Sequence, residues 1–207
     1  MIDLYTWTTP NAQKISVMLE EIALPYTVHV VSLPSGEQHA PAFLAVNPQA
    51  KVPVIVDRDG PGGTPLTVLE SGAILIYLAE QSGQLLARDG VERTAALQWL
   101  MFQMSGIGPT FHDFYYFAAL APERLPLAIE YFAKETTRVL GLLEAHLAQH
   151  EFLAGAYSIA DVTTFPWITA AMTGGVPGFE QLPHLKRWHA AIAARPAVVR
   201  GMAVPRV

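Results

Sequence analysis

The sequence predicts an α/β N-terminal domain followed by an all-α C-terminal domain. Three observations carry that expectation. Residues 2–32 alternate between short strand-like runs and one amphipathic helical stretch, the strand–helix–strand order whose crossover is right-handed. Residues 47–79 read NPQAKVPVIVD, RDGPGGTPLTV and LESGAILIYLA: a strand led by proline, a Gly/Pro-rich connection, a second strand and a helix. From Glu92 onward the periodicity is helical and long, with no strand candidate.

Taken in order, residues 2–6 alternate and are short, as a first strand should be, and Trp7-Thr8-Thr9-Pro10-Asn11 then supplies helix-start chemistry. Ile15, Met18, Leu19 and Ile22 recur at helical spacing, which predicts an amphipathic helix over 11–23. Residues 27–32 read as a second strand, and 34–47 are looser, with one short helix around 42–46. Val54-Ile55-Val56 and Leu66-Thr67-Val68-Leu69 are rich in β-branched residues on either side of a glycine- and proline-laden turn, so they pair as an antiparallel hairpin. A helix over 71–82 closes the first domain, expected to span 1–82.

Ser82-Gly83 ends that helix, and Arg88-Asp89-Gly90 precedes the change of character, so the second domain is expected over 90–207. From Glu92 to about Ala119 apolar residues crowd most faces, which predicts a largely buried helix kinked at Gly106, Gly108 and Pro109. Pro126 precedes a second long helix reaching about His150, and Ser158 with Asp161 forms a capping box at the start of a third. That pair reads as structural. A last helix over 183–194 is interrupted at Arg195-Pro196.

Bulk properties narrow the function. With 207 residues, 51% hydrophobic and only 15% charged, the chain has ample material for a sizeable core. A net charge of −5 with 13 Lys and Arg argues against nucleic acid, which needs a basic face. Residues 94–111 carry no charge, yet Gln98, Gln103, Ser105, Gly106, Gly108 and Pro109 break the run too often for a membrane span. The chain opens without the basic segment and apolar run of a secretory signal, and a soluble cytoplasmic protein is expected. No metal is predicted from the seven histidines. There is no cysteine, so any thiol chemistry must use a sulfur brought by the ligand.

One part of the candidate site lies in residues 47–79. Pro53 cannot donate to a ladder and so begins its strand. If the Val52-Pro53 bond is cis, the main chain of Val52 turns outward and offers its N–H and C=O to an extended peptide. Glu70 and Ser71 stand at a helix N-terminus. There Ser71 and the unpaired amides suit a carboxylate while Glu70 faces an ammonium, the two charges of an amino acid, unless these residues only cap the helix. At the other helix start Thr8, Thr9 and Asn11 gather hydroxyl and amide donors at a positive dipole end, where a thiolate is stabilised; Thr9 or Asn11 could equally be an N-cap.

Val52-Pro53 followed after a hairpin by Glu70-Ser71 resembles the glutathione-binding half of the thioredoxin-like domain in glutathione transferases, and the resemblance extends over nearly the whole chain. It implies a thioredoxin-like first domain and a dimeric enzyme that binds glutathione or glutathione disulfide. Many members carry Tyr, Ser or Cys at the sulfur; here Tyr5 lies inside a strand, more in keeping with core, and Thr-Pro-Asn before the helix is similar to the bacterial Nu class and to the relatives of the yeast prion nitrogen regulator. Carried over by position, the resemblance puts Thr9 and Asn11 at the sulfur, Gln38 and Lys51 at the glycyl and peptide side, Val52 and Pro53 at the cysteinyl backbone, and Glu70 and Ser71 at the γ-glutamyl end. An arginine that some relatives supply from the second long helix is replaced here by Tyr131 at the nearest position.

The acceptor, a small apolar electrophile, disulfide or peroxide, would need an apolar wall. Trp7, Phe111, Phe114 and Tyr115 are candidates for it, although aromatics at helical spacing also serve as core. The implied activity is glutathione-dependent disulfide or peroxide reduction with weaker conjugation of electrophiles. The other reading is a glutathione-binding or regulatory module without turnover, since a fold does not fix a function.

Overall fold

The computed structural model describes residues 1–176 and 178–207. The chain divides into two compact units, Met1–Leu86 together with Ala194–Val207, and Ala87–Ala193.

The first unit is built on four strands, β1 (Ile2–Thr6), β2 (Tyr26–Val30), β3 (Val54–Asp57) and β4 (Leu66–Val68), in the order β2-β1-β3-β4. β1 runs parallel to β2 and antiparallel to β3, and β3 and β4 form the expected hairpin. The helices are α1 (Pro10–Glu21), the short α2 (Pro41–Leu44) and α3 (Ser71–Ser82). Leu4, Ile15, Met18, Leu19, Ile55, Ile74, Leu75 and Leu78 are all fully buried, because the apolar stripes of α1 and α3 cover β1 and β3. A smaller cluster of Val31, Phe43 and Val54, with Tyr5, Val46, Val52 and Leu69 packed against it, fills a second core. Tyr5 stacks on His29 with ring centroids 4.7 Å apart, a core role.

The last helix, α9 (Pro196–Met202), belongs to this first unit, whereas the sequence reading left everything to 207 in the second. Proline at N1 starts a new helix as readily as it ends an old one. α9 lies so close to α1 that a Cβ on Gly201 would stand 2.5 Å from Val17 Cα. Ser16 Oγ donates to the Gly201 carbonyl at 2.7 Å, and Arg195 forks onto Glu21 at 2.7 and 2.8 Å.

The second unit contains α4 (Gly90–Phe102), α5 (Gly108–Tyr115), α6 (Pro126–Leu147), α7 (Ile159–Thr173) and α8 (Pro183–Ala193). α4 and α5 are continuous through a π-helical turn at Gln103–Ile107, and a second π turn, Tyr116–Leu120, follows α5. Pro109 has no N–H to return, and the wider turn before it absorbs that loss. The expected largely buried helix is corrected here: burial is confined to one stripe, Ala96, Leu100, Gln103, Ile107, Gly108 and Phe111. At the start of α7 the capping box forms as expected, with Asp161 fully buried and accepting from the Ser158 N–H at 3.0 Å, the Leu153 N–H at 3.0 Å and Trp188 Nε1 at 2.8 Å.

Candidate functional site

The strand register gathers the sequence-predicted residues of the first unit at one end of its sheet. Ile55 pairs with Val68 across the hairpin, and continuing that register by two residues sets Pro53 opposite Glu70. Tyr5 pairs with Val54, and the same continuation sets Thr6 opposite Pro53 and Trp7 opposite Val52. β2 is parallel to β1, so it ends at the same side and leads on to the 3-10 turn Glu37–His39 that carries Gln38. The open end of the sheet therefore collects the α1 entry, the turn before β3 and the β4–α3 junction.

Each of these pieces has a local cause. The Val52-Pro53 bond is cis, and Pro53 is buried while Val52 stays half-buried and ahead of the ladder, which begins at Val54. Asn47, which the sequence reading passed over, shapes the approach: its Nδ2 donates to the Lys51 carbonyl at 2.7 Å and its Oδ1 accepts from the Gln49 N–H at 3.0 Å. Asparagine closing its own turn in this way was a signal available in the sequence. Lys51 itself is exposed, and the Oε1 of Gln38 is buried with no hydrogen-bond partner.

Glu70 has φ 65° and ψ 118°, a backbone conformation that costs a non-glycine residue about 1–3 kcal/mol. Its side chain makes no capping bond to α3 and is exposed. Ser71, the first residue of α3, is buried, and its Oγ accepts from Nζ of Lys14 at 3.3 Å. Lys14 is a second residue that the sequence reading missed. Burial drives its pKa down to about 7, against the opposing pull of Glu70. Its place on the apolar stripe, four residues before Met18, was the signal.

At the α1 entry Thr9 is the N-cap, accepting from the Ala12 N–H at 3.3 Å. A hydroxyl that accepts this bond still has its own proton to donate, so capping and sulfur contact are compatible. Asn11 is half-buried in the first turn of α1. Trp7 is half-buried in the loop ahead of it. In the second unit Phe114 is half-buried and Tyr115 is 52% exposed, but Phe111 is only 4% exposed. Phe111 falls on the buried stripe of α4 and α5. Among the described residues no cluster of His, Asp or Glu could hold a metal ion. Among the described residues no helix is long and apolar enough to cross a membrane.

A four-stranded sheet whose proline-led strand ends opposite the Glu70-Ser71 helix start, on a chain completed by a helical unit, defines a class that the comparisons identify. Residues 8–81 match the glutathione S-transferase N-terminal domain family and residues 109–196 the glutathione S-transferase C-terminal domain family. The chain belongs to the glutathione S-transferase family. It is similar to the disulfide-bond oxidoreductase YfcG of Escherichia coli, with 43% identity over 95% of this chain and 92% of that protein. A glutathione transferase family member from Pseudomonas fluorescens, solved with two glutathione molecules bound, has a TM-score of 0.94 and 46% identity over 99% of this chain and 93% of that one. A glutathione transferase from Pseudomonas putida, solved with one glutathione disulfide bound per subunit, has a TM-score of 0.92 and 43% identity over 99% and 91%.

Proposed function

We propose that this protein is a glutathione-dependent enzyme whose main reaction is reduction of disulfides or peroxides, with weaker conjugation of small apolar electrophiles. The observation that carries the reading is the pairing of a cysteine-free chain with an exposed Glu70 in strained backbone at the end of the sheet. Strain of this kind persists where a site needs the side chain it presents. Relatives solved with two glutathiones or one glutathione disulfide support a site large enough for both reactants.

In this reading the peptide lies along Val52 and Pro53, with its γ-glutamyl end on Glu70 and Ser71. Its glycyl side meets Lys51 and the buried acceptor of Gln38. The sulfur sits at Thr9 and Asn11, over the α1 N-terminus. A free thiol is only a few per cent thiolate at neutral pH, and each unit of depression takes about 1.4 kcal/mol of preferential anion binding. Two donors and a helix dipole are of that order.

The chemistry then balances without a protein thiol. One glutathione thiolate attacks the substrate disulfide, forming a mixed disulfide and releasing a thiolate. A second glutathione thiolate attacks that mixed disulfide, giving glutathione disulfide and a second released thiolate. The two glutathione thiol protons end on the two product thiols, and the two electrons come from the two glutathiones.

We place the protein in the bacterial Nu class on the strength of Thr9-Pro10-Asn11, as a cytoplasmic homodimer acting where glutathione is abundant.

The test is turnover of hydroxyethyl disulfide with glutathione by the purified protein. Asn11→Ala is expected to lower kcat about tenfold to a hundredfold, with a smaller change in glutathione affinity. Equal kcat would remove Asn11 from the sulfur. Tight glutathione binding with no rate above background toward disulfides, peroxides and aryl halides would leave the binding-module reading instead.

A further inference from the structure

Lys14 is a charged side chain that the fold hides completely, with 0% exposure. Hiding an ammonium is costly, and a leucine or methionine would fill the same stripe of α1 without that penalty. Lys14 stands three residues after Asn11, on the same face of α1, and reaches across to donate to Ser71 Oγ at 3.3 Å. An ammonium has donors only, so Ser71 is the acceptor in this bond.

We propose that Lys14 is the hidden cation of the γ-glutamyl subsite, a positioning residue that acts through Ser71. It turns the Ser71 hydroxyl into a donor for the ligand's α-carboxylate and places a positive charge behind that carboxylate. The exposed Glu70 takes the neighbouring ammonium. The inference rests on the glutathione site proposed above and assigns it a residue whose charge the ligand itself controls. An α-carboxylate brought onto Ser71 favours the ammonium form of Lys14, so binding draws a proton onto this side chain when the solution is alkaline enough to have removed it.

The other charged groups on the surrounding elements are accounted for. Glu70 is the group whose field opposes the loss of the Lys14 proton. At the far end of α1, Glu20 and Glu21 pair with Arg200 and Arg195 of the α9 segment. Asp3 on β1 is held by Arg58 and His29, and Glu80 is at the exposed end of α3. The sign follows from the lowered pKa of about 7. Below it Lys14 is already charged and binding takes up little; above it binding takes up a proton and affinity declines as pH rises.

The experiment is calorimetric titration with S-methylglutathione, which removes the thiol from the proton balance, at about pH 6 and pH 8 in buffers of different ionisation heat. Wild-type protein is expected to take up roughly half to one proton on binding at the higher pH and much less at the lower one. Lys14→Met should abolish the uptake and weaken binding about tenfold or more at the lower pH. An analogue whose γ-glutamyl α-carboxylate is a carboxamide should bind wild type weakly and without uptake.

Wild-type binding with no proton uptake, or an uptake that the carboxamide analogue reproduces, overturns the proposal even if Lys14→Met fails to fold. So does a folded Lys14→Met that binds as tightly as wild type. Absence of any binding to wild type would instead overturn the glutathione site itself.

Discussion

Two helix starts in this protein carry a serine and an acid, and they use them in opposite ways. At α7, Ser158 and Asp161 close on each other, and Asp161 takes donors from Ser158, Leu153 and Trp188, all inside the second unit. At α3, Glu70 caps nothing, stands exposed in strained backbone, and leaves Ser71 to a lysine from another helix. Polar groups that close on their own helix start hold a fold, whereas an exposed carboxylate with no capping bond, such as that of Glu70, is open to solvent. The residue types alone do not separate the two; the accounting of their hydrogen bonds does.

The comparison breaks most visibly at Asp161. Asp161→Ala strands the buried Leu153 amide, the Ser158 amide and the Trp188 indole, and is expected to destabilise by about 3–5 kcal/mol in a denaturant titration. The glutathione affinity of the protein that remains folded should stay at the wild-type value. Coupled loss of affinity would merge two helix starts that are separated here by role.

Glu70→Gly tests the other side with a smaller and opposite effect on stability. Glycine accepts φ 65° freely, so the variant should gain about 1 kcal/mol while losing glutathione affinity tenfold or more. A variant that is both less stable and fully able to bind would make Glu70 an ordinary structural residue.

The smallest effect concerns a third carboxylate. Arg58 holds Asp3 down to about pKa 2, aided by His29, while burial pushes Asp161 the other way. A depressed carboxyl contributes stability that is fully present above the unfolded value and is lost as pH falls through the folded one. Asp3→Asn should therefore be less stable than wild type above about pH 4, with the gap closing toward pH 2. The exposed guanidinium keeps this effect below that of Glu70→Gly. Asp161, raised by burial, favours acid instead: its contribution declines as pH rises from the unfolded value toward the folded one.

Much of this architecture is legible in the residues. The β-branched runs around the Gly/Pro turn give the hairpin, and the hairpin alone brings Pro53 to Glu70. What stays hidden is decided by long-range contacts or by single-residue geometry. α9 reads as a frayed end, since its affiliation depends on a glycine meeting the main chain of a helix far away in sequence. The π turns at Gln103–Ile107 and Tyr116–Leu120 add residues without disturbing the apolar spacing, so the pattern passes over them. Lys14 sits on the stripe of Ile15, Met18, Leu19 and Ile22, where a charge conflicts with its surroundings, and that conflict is the usual mark of a functional position. Phe111 is an aromatic beside exposed neighbours that nevertheless faces inward, which residue type alone does not reveal.

The clasp of α9 on α1 sets an order of events during synthesis. Ser16 finds Gly201 across 185 residues, so the helix bearing Thr9 and Asn11 lacks its outer support until the whole helical unit has left the ribosome. The unit that carries the candidate site is begun first and finished last.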